Sequence, residues 1–487
     1  MTSAGLNRRR FIASGAAAAT MLAKPSWSQS GDLTELTIAQ AGQLIRTRDI
    51  SPVELSQAYL ARIERLDGQL NSFITVTEDR AMERARKLET ELSFGQWRGP
   101  LHGIPIALKD NIDTAGIRTT AASAIFADRI PSEDAEVVTR LEQAGAILLG
   151  KLNMHEFAYG ASSAISHFGP VHNPWDLSRI TGGSSGGPGA AVSARLCAGA
   201  LGTDTGGSIR IPAAHCGIVG LKPTYGLASI RGIIPLSVTL DHVGPMCRTV
   251  TDAALMLQAI AGYDRGDTAS IQTDLPSYAG ALYRPTSRMR LGIPRRYFYD
   301  DVDPQILQTI EQAIGILTGL TASVSEIDLP PRPGGTPVLV DGYGFHEEYL
   351  TDSSDQYGKM TLDRISRGAD ISAIEYAETL LELKRSRAAI GQVFESVDLL
   401  ITPTLTRLPA TIDEAMISSV DDILIRNPSP FNIYGIPTIS LPCGFSQQGL
   451  PIGLQISGPV LGEVDVLSLA HAYEQATDWH KRAPPLV

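Results

Sequence analysis

Two serines set in glycine constrain this chain more than any other feature. Between Gly182 and Pro212 it reads Gly182-Gly183-Ser184-Ser185-Gly186-Gly187, then Gly202-Thr203-Asp204-Thr205-Gly206-Gly207-Ser208-Ile209-Arg210-Ile211-Pro212. Ser184 and Ser208 are 24 residues apart. Glycines in front of a serine let backbone N–H groups turn toward one point with no Cβ in the way. Converging donors of that kind stabilise a developing oxyanion. Upstream, Ile106-Ala107-Leu108-Lys109-Asp110-Asn111 is an apolar strand that delivers one lysine into a turn. A lysine leaving a buried strand is a candidate for a depressed pKa, and so for general-base work. A lysine with two serines, and no histidine required, points to acyl transfer.

An amide carbonyl is a poor electrophile, so its cleavage needs a positioned nucleophile, a base and an oxyanion site together. In this chain one of the two serines would attack, the other would relay its proton to neutral Lys109, and the amine would leave protonated by the same route. Each segment also has a plainer reading on its own. Glycine-rich serine stretches are ordinarily turns, and a lysine in a Lys-Asp-Asn turn is ordinarily solvated.

Taken together at this spacing, the segments resemble the amidase signature family, whose catalytic triad is a lysine, a serine held in a cis peptide and a nucleophilic serine. Residue by residue, the resemblance implies Lys109 as the lysine, Ser184 as the cis-peptide serine and Ser208 as the nucleophile. It implies an oxyanion hole from the backbone amides of Thr205, Gly206, Gly207 and Ser208, with Ser185, Asp204 and Arg210 bracing the site. The strong resemblance covers about residues 99–262, with weaker matches at 398–404 and 431–457. One departure is Pro188-Gly189, where the family usually has small residues such as serine and alanine; proline is tolerated in a first helical turn.

Rival motifs fare worse. Gly183-Ser184-Ser185-Gly186-Gly187 fits G-x-S-x-G with Ser185 at its centre, but that elbow needs an apolar strand before it, and residues 173–181 read as loop. No Gly-Lys-Ser/Thr follows the glycines to cradle a phosphate. His155-Glu156 lacks the second histidine of a zinc helix, and the nine histidines are scattered. His215 and His242 read as hydrogen-bonded structural residues. No metal and no cofactor is implied.

The composition is that of a globular chain, 43% hydrophobic and 19% charged over 487 residues, with a formal net charge of −11. An acidic surface disfavours nucleic acid or an anionic membrane as partner. The expected partner is therefore a small-molecule amide, bound by a monomer or homodimer with no membrane anchor. Cys197, Cys216, Cys247 and Cys443 lie in or beside apolar stretches without paired spacing, and read as small buried side chains. The first residues, Asn7-Arg8-Arg9-Arg10-Phe11-Ile12-Ala13 followed by an alanine-rich run to Ala23, resemble a twin-arginine export signature. That run is too short to span a bilayer. Residues 1–30 are therefore expected to be a removable signal, with the protein periplasmic or secreted.

Along residues 31–487, Ser51-Pro52-Val53-Glu54 is a capping box that opens a helix carrying Leu55, Tyr59, Ile63 and Leu66 at helical spacing. A charged helix over 79–92 follows, then buried strands at 104–108 and 146–150 separated by a helix near 134–144. Strands return at 399–402, 438–442 and 452–456. This alternation predicts an α/β fold: a mixed central β-sheet surrounded by helices, in one large domain. The resemblance places the family's signature core at about 99–262. Polar, proline- and glycine-rich stretches set off a peripheral insertion or cap at about 264–396. Within it a helix over 371–395 presents Ile374, Ala377, Leu381 and Ala388 as a packing stripe.

The resemblance places Met154, Phe157, Tyr159, Phe431 and Tyr434 around an acyl pocket, and their apolar character favours an apolar or aryl acyl group. Aligned on Asn432, glutamine-hydrolysing members carry an aspartate where this chain has Ile425, which counts against a glutaminase. The leading expectation is thus hydrolysis of the C–N bond of a small carboxamide through a seryl acyl-enzyme. The alternatives are the glutamine-hydrolysing subunit of a tRNA-dependent amidotransferase, and an ester or carbamate hydrolase using the same triad.

Overall fold

The computed structural model describes Met1, residues 31–417 and residues 420–486; the expected export signal over 1–30 lies outside them apart from Met1. One 11-stranded mixed sheet organises the molecule. Its strands are β1 (Phe73–Val76), β2 (Pro105–Lys109), β3 (Ile147–Leu152), β6 (Gly199–Thr203), β7 (Val219–Lys222), β8 (Val243–Cys247), β9 (Arg290–Ile293), β10 (Ser323–Glu326), β11 (Leu399–Pro403), β12 (Thr438–Phe445) and β13 (Pro451–Ser457). They lie in the order β1-β3-β2-β6-β8-β7-β12-β13-β11-β9-β10. A separate hairpin, β4 (His172–Asn173) and β5 (Asp176–Ile180), stands outside it. The central strands are buried along their whole length. Burial on both faces is why they read as short apolar runs without alternation.

The helices form where local chemistry directs them. Ser51 accepts from the Glu54 N–H at 3.0 Å while the Glu54 carboxylate accepts from the Ser51 N–H at 2.8 Å, and Pro52 opens the helix Pro52–Leu70. Leu55, Tyr59, Ile63 and Leu66 are all buried along it. The helix Gly186–Ser193 consists of glycine, proline, alanine, valine and serine, every one buried. Its backbone lies against the chain at Asn153: a Cβ on Gly187 would stand 2.3 Å from the Asn153 carbonyl oxygen. Pro188 falls in its first turn, where a missing N–H costs nothing.

Three expectations change. Residues 176–180 form a strand rather than loop, but a polar, partly exposed one in the outlying hairpin, so no apolar strand feeds Ser185. Within 264–396, β9 and β10 belong to the central sheet, because β9 pairs in parallel with β11. The helix Ala373–Val393 turns Thr379, Leu383, Ser386 and Ile390 inward and leaves Ile374, Ala377, Leu381 and Ala388 exposed. Both sets have helical spacing, so periodicity alone could not say which face meets a neighbour.

Candidate active site

β2 and β6 are parallel neighbours, with Leu108 opposite Leu201, and both end at the same edge of the sheet. Ligands gather outside the carboxyl ends of such strands. β2 ends in Lys109 and β6 in Thr203. The Lys109 Nζ lies 2.7 Å from Ser184 Oγ and 2.8 Å from Thr203 Oγ1, and the Asn111 amide donates to the same threonine oxygen at 3.2 Å. Lys109 and Ser184 are completely buried. Burial disfavours the ammonium and pushes the Lys109 pKa down to about 7, against the weaker pull of Asp241 and Asp204. A buried lysine of that pKa has a substantial neutral fraction near pH 7 and can accept a proton.

Ser184 follows a cis Gly183–Ser184 peptide. Its carbonyl oxygen accepts from the His155 N–H at 3.0 Å and the Ser163 hydroxyl at 3.2 Å. Ser185 turns away from the cavity: its hydroxyl donates to the Thr203 carbonyl at 3.1 Å, and its N–H donates to the Ser208 carbonyl at 3.2 Å. That second bond ties the two serine loops together.

The loop bearing Ser208 is wound around Asp204. One carboxylate oxygen accepts from the Gly207 N–H at 2.8 Å and Arg210 Nη2 at 3.0 Å; the other accepts from the Ile209 N–H at 3.1 Å and Arg210 Nε at 3.0 Å. Asn432 donates to the Asp204 carboxylate at 2.8 Å and to its backbone carbonyl at 2.9 Å. Burial alone would raise this carboxyl, but the Arg210 guanidinium and these donors hold it far below the usual carboxylate range. Arg210 in turn donates to the Pro428 carbonyl and Gln455, each at 2.8 Å. Gly207 has φ +126°, and a Cβ there would meet Pro428 at 2.6 Å, so only glycine makes this turn.

Of the four amides the resemblance assigns to the oxyanion, Gly207 is engaged by Asp204. Those of Thr205, Gly206 and Ser208 donate to no acceptor among the described residues. Thr205, Gly206 and Ser208 all line a cavity of about 610 Å³, and Ser208 is 7% exposed there.

The cavity corrects the expected pocket. Tyr159 lines it, but Met154, Phe157, Phe431 and Tyr434 do not. Met154 and Phe157 pack behind it, with Phe157 edge-on to His346 at 4.4 Å between ring centres; Phe431 stacks on Phe298 at 5.5 Å. Tyr434 is buried with its hydroxyl on the Pro330 carbonyl at 2.6 Å. These large side chains serve the second layer of packing, while shorter residues, Leu236, Leu240, Ile425 and Ile433, form the wall. Charge was the larger omission. Arg364, Arg367, Asp421 and Asp422 also line the cavity. Arg364 pairs with Asp421, whereas Asp422 and Arg367 are exposed. Ile425 itself lines the cavity, and the helix Asp421–Ile425 brings one exposed carboxylate, Asp422, to the same space, while Asp421 is taken up by Arg364 and the Ala161 N–H. Adjacent acidic residues before three apolar ones were the one sequence sign of this.

The amidase family model matches residues 54–467. A glutamyl-tRNA(Gln) amidotransferase subunit from Methylococcus capsulatus is 42% identical, the match covering 92% of this chain and 98% of that one. The crystal structure of the subunit of the same name from Thermotoga maritima superposes with a TM-score of 0.76 at 31% identity, over 92% of this chain and 96% of that one. A peptide amidase crystallised with chymostatin superposes at 0.82 with 32% identity, over 92% and 99% of the two chains.

These relatives correct three expectations. The lone hydrolase of a small apolar or aryl amide gives way, because similarity over nearly the whole chain runs to one subunit of an enzyme named for a charged tRNA. The exclusion of nucleic acid and of other subunits falls with it: the net charge of one subunit does not report an RNA held by an assembly. The periplasmic or secreted destination is withdrawn for the same reason, since a charged tRNA is a molecule of the cell interior. With the family model spanning most of its length, the chain belongs to the amidase signature family and is a hydrolase of amide carbon–nitrogen bonds.

Proposed function

We propose that this chain is the glutamine-hydrolysing subunit of a tRNA-dependent amidotransferase, releasing ammonia for a partner protein that amidates the charged tRNA. The similarity to glutamyl-tRNA(Gln) amidotransferase subunits over more than nine-tenths of both chains carries the reading. The charged groups of the cavity support it, because glutamine is a zwitterion with a carboxamide at its far end. Asp422 suits its ammonium and Arg367 its carboxylate, and Thr205, Gly206 and Ser208 line the same cavity to receive the amide.

In this reading Ser208 Oγ attacks the side-chain carbonyl as its proton passes through Ser184 Oγ to neutral Lys109. The oxyanion is held by the N–H groups of Thr205, Gly206 and Ser208. Lys109 returns the proton through Ser184 to the departing nitrogen, and ammonia leaves. Water, deprotonated along the same path, then hydrolyses the γ-glutamyl ester of Ser208 to glutamate. Asp204, Arg210 and Ser185 hold the two serine loops in place and touch no reacting atom.

The test is ammonia release from glutamine by the full chain, alone and with the companion subunits of the Methylococcus capsulatus relative. Turnover of glutamine, with Asp422→Asn and Arg367→Met each raising KM at least tenfold, is the expected result. Hydrolysis of simple amides with glutamine untouched in both settings would overturn the assignment. Ser208→Ala tests the triad separately: it should abolish turnover with the melting temperature unchanged.

A further inference from the structure

The oxyanion loop and the cavity wall facing it share one buried carboxylate. Asp241 is 4% exposed. One of its oxygens accepts from the Thr205 hydroxyl at 2.5 Å, the other from the N–H groups of Leu236 at 2.9 Å and Ser237 at 3.1 Å. Burial raises this carboxyl to about 6 against those hydrogen bonds. A carboxylate with three donors aimed at it is the arrangement that keeps it ionised in a dry site.

What makes this contact matter is that the N–H groups of Thr205 and Gly206 beside it donate to no acceptor among the described residues. The loop is pinned at Asp204 by Arg210 and at Gly207 by Asp204. Between them, Gly206 has no side chain, and a Cβ built on it would find its nearest neighbour, Ser429, only at 3.8 Å. Thr205 and Gly206 both line the cavity, and the Thr205 hydroxyl ties this stretch to Asp241. The turn holding Asp241 is fastened in its own right. Asp341, on the helix Thr336–Ser353, accepts from Ser237 Oγ at 2.6 Å, Thr239 Oγ1 at 2.8 Å and the Tyr376 hydroxyl at 2.5 Å.

We propose that Asp241 is a positioning residue for amide hydrolysis: through the Thr205 hydroxyl it sets the Thr205–Gly206 backbone so that its N–H donors meet the oxyanion of the tetrahedral intermediate. Such donors act on charge that develops only in the transition state, so their misplacement lowers kcat rather than raising KM. The inference rests on Ser208 as nucleophile. Activity surviving Ser208→Ala would sink that assignment, whereas the variants below test Asp241 on its own.

The experiment compares Thr205→Val, Thr205→Ser, Asp241→Asn and the double variant Thr205→Val/Asp241→Asn. Steady-state kinetics use glutamine, or a simple primary amide if the wild type leaves glutamine intact. Loss of one oxyanion donor costs on the order of 10²–10³ in kcat, and misalignment a part of that. Thr205→Val is expected to lower kcat at least tenfold with KM within about twofold, Thr205→Ser to retain at least a third of wild-type kcat, and the double variant to be no slower than its slower parent. Where Asp241→Asn does not fold, the two Thr205 variants decide. A Thr205→Val enzyme within threefold of wild-type kcat, a loss expressed only in KM, or multiplicative losses in the double variant would overturn the proposal.

Discussion

The Lys109 amine and the Ser184 hydroxyl meet at 2.7 Å with no exposed surface on either residue. Lys109 stays on β2 and Ser184 on a loop before the Gly186–Ser193 helix, and the Thr203 hydroxyl at 2.8 Å gives the amine a second partner. A buried amine so held titrates near pH 7, where the same group in water titrates near 10.5.

Activity should therefore rise through one ionisation near pH 7 as Lys109 loses its proton, and Lys109→Met should abolish it. Stability moves in the same direction. The folded pKa is depressed, so between pH 7 and 10.5 the unfolded chain binds one proton more than the native one, and stability rises with pH across that window. Below pH 7 the buried ammonium costs about 5 kcal/mol relative to a neutral side chain. Lys109→Met should gain more melting temperature at pH 6 than at pH 10, as measured by calorimetry. An equal change at both values would show that the amine is not the titrating group.

Asp204→Ala should be among the most destabilising single changes in the chain. It strands the Arg210 guanidinium, which is fully buried, and removes the acceptor of the Gly207 and Ile209 N–H groups. Breaking one side of a buried pair costs about 3–5 kcal/mol. Urea denaturation should show a loss of that size, and a loss below about 1 kcal/mol would mean that water reaches Arg210.

Glu474, which does not line the cavity at Ser208, offers a separate charge test. Burial, with Asp252 nearby, raises its carboxyl to about 8, while it accepts from the Val250 N–H at 2.8 Å. The native state holds a proton that the unfolded state has lost between about pH 4.5 and 8, so stability falls as pH rises through that range. Glu474→Gln keeps an acceptor for Val250 and removes the charge. It should raise the melting temperature at pH 8.5 and leave it unchanged at pH 4.5.

Ile374→Gln and Leu381→Gln should each change stability by less than about 0.5 kcal/mol, because both side chains are more than half exposed. Leu383→Ala on the inward face of the same helix should cost about 2–4 kcal/mol. Thermal melts of the three variants would expose a reversed helix face at once.

The sequence by itself determined the elements that local chemistry fixes. The capping box at Ser51, the apolar runs of the buried strands, the mixed sheet and the motif residues Lys109, Ser184 and Ser208 were all readable, because short-range pattern and backbone permissiveness specify them. Tertiary structure decided what depends on which surfaces meet. It chose the inward face of the Ala373–Val393 helix, put β9 and β10 at the sheet edge, and sent Met154, Phe157, Phe431 and Tyr434 behind the cavity. It also brought together residues far apart in the chain: Arg364 with Asp421, Asn432 with Asp204, Asp241 with Thr205. Each of these is an ordinary charged or polar residue in its local stretch, and only the packing of distant elements gives it a partner. That is why the serine–lysine motif was legible from the chain, and the charged lining of the cavity beside Ser208 was not.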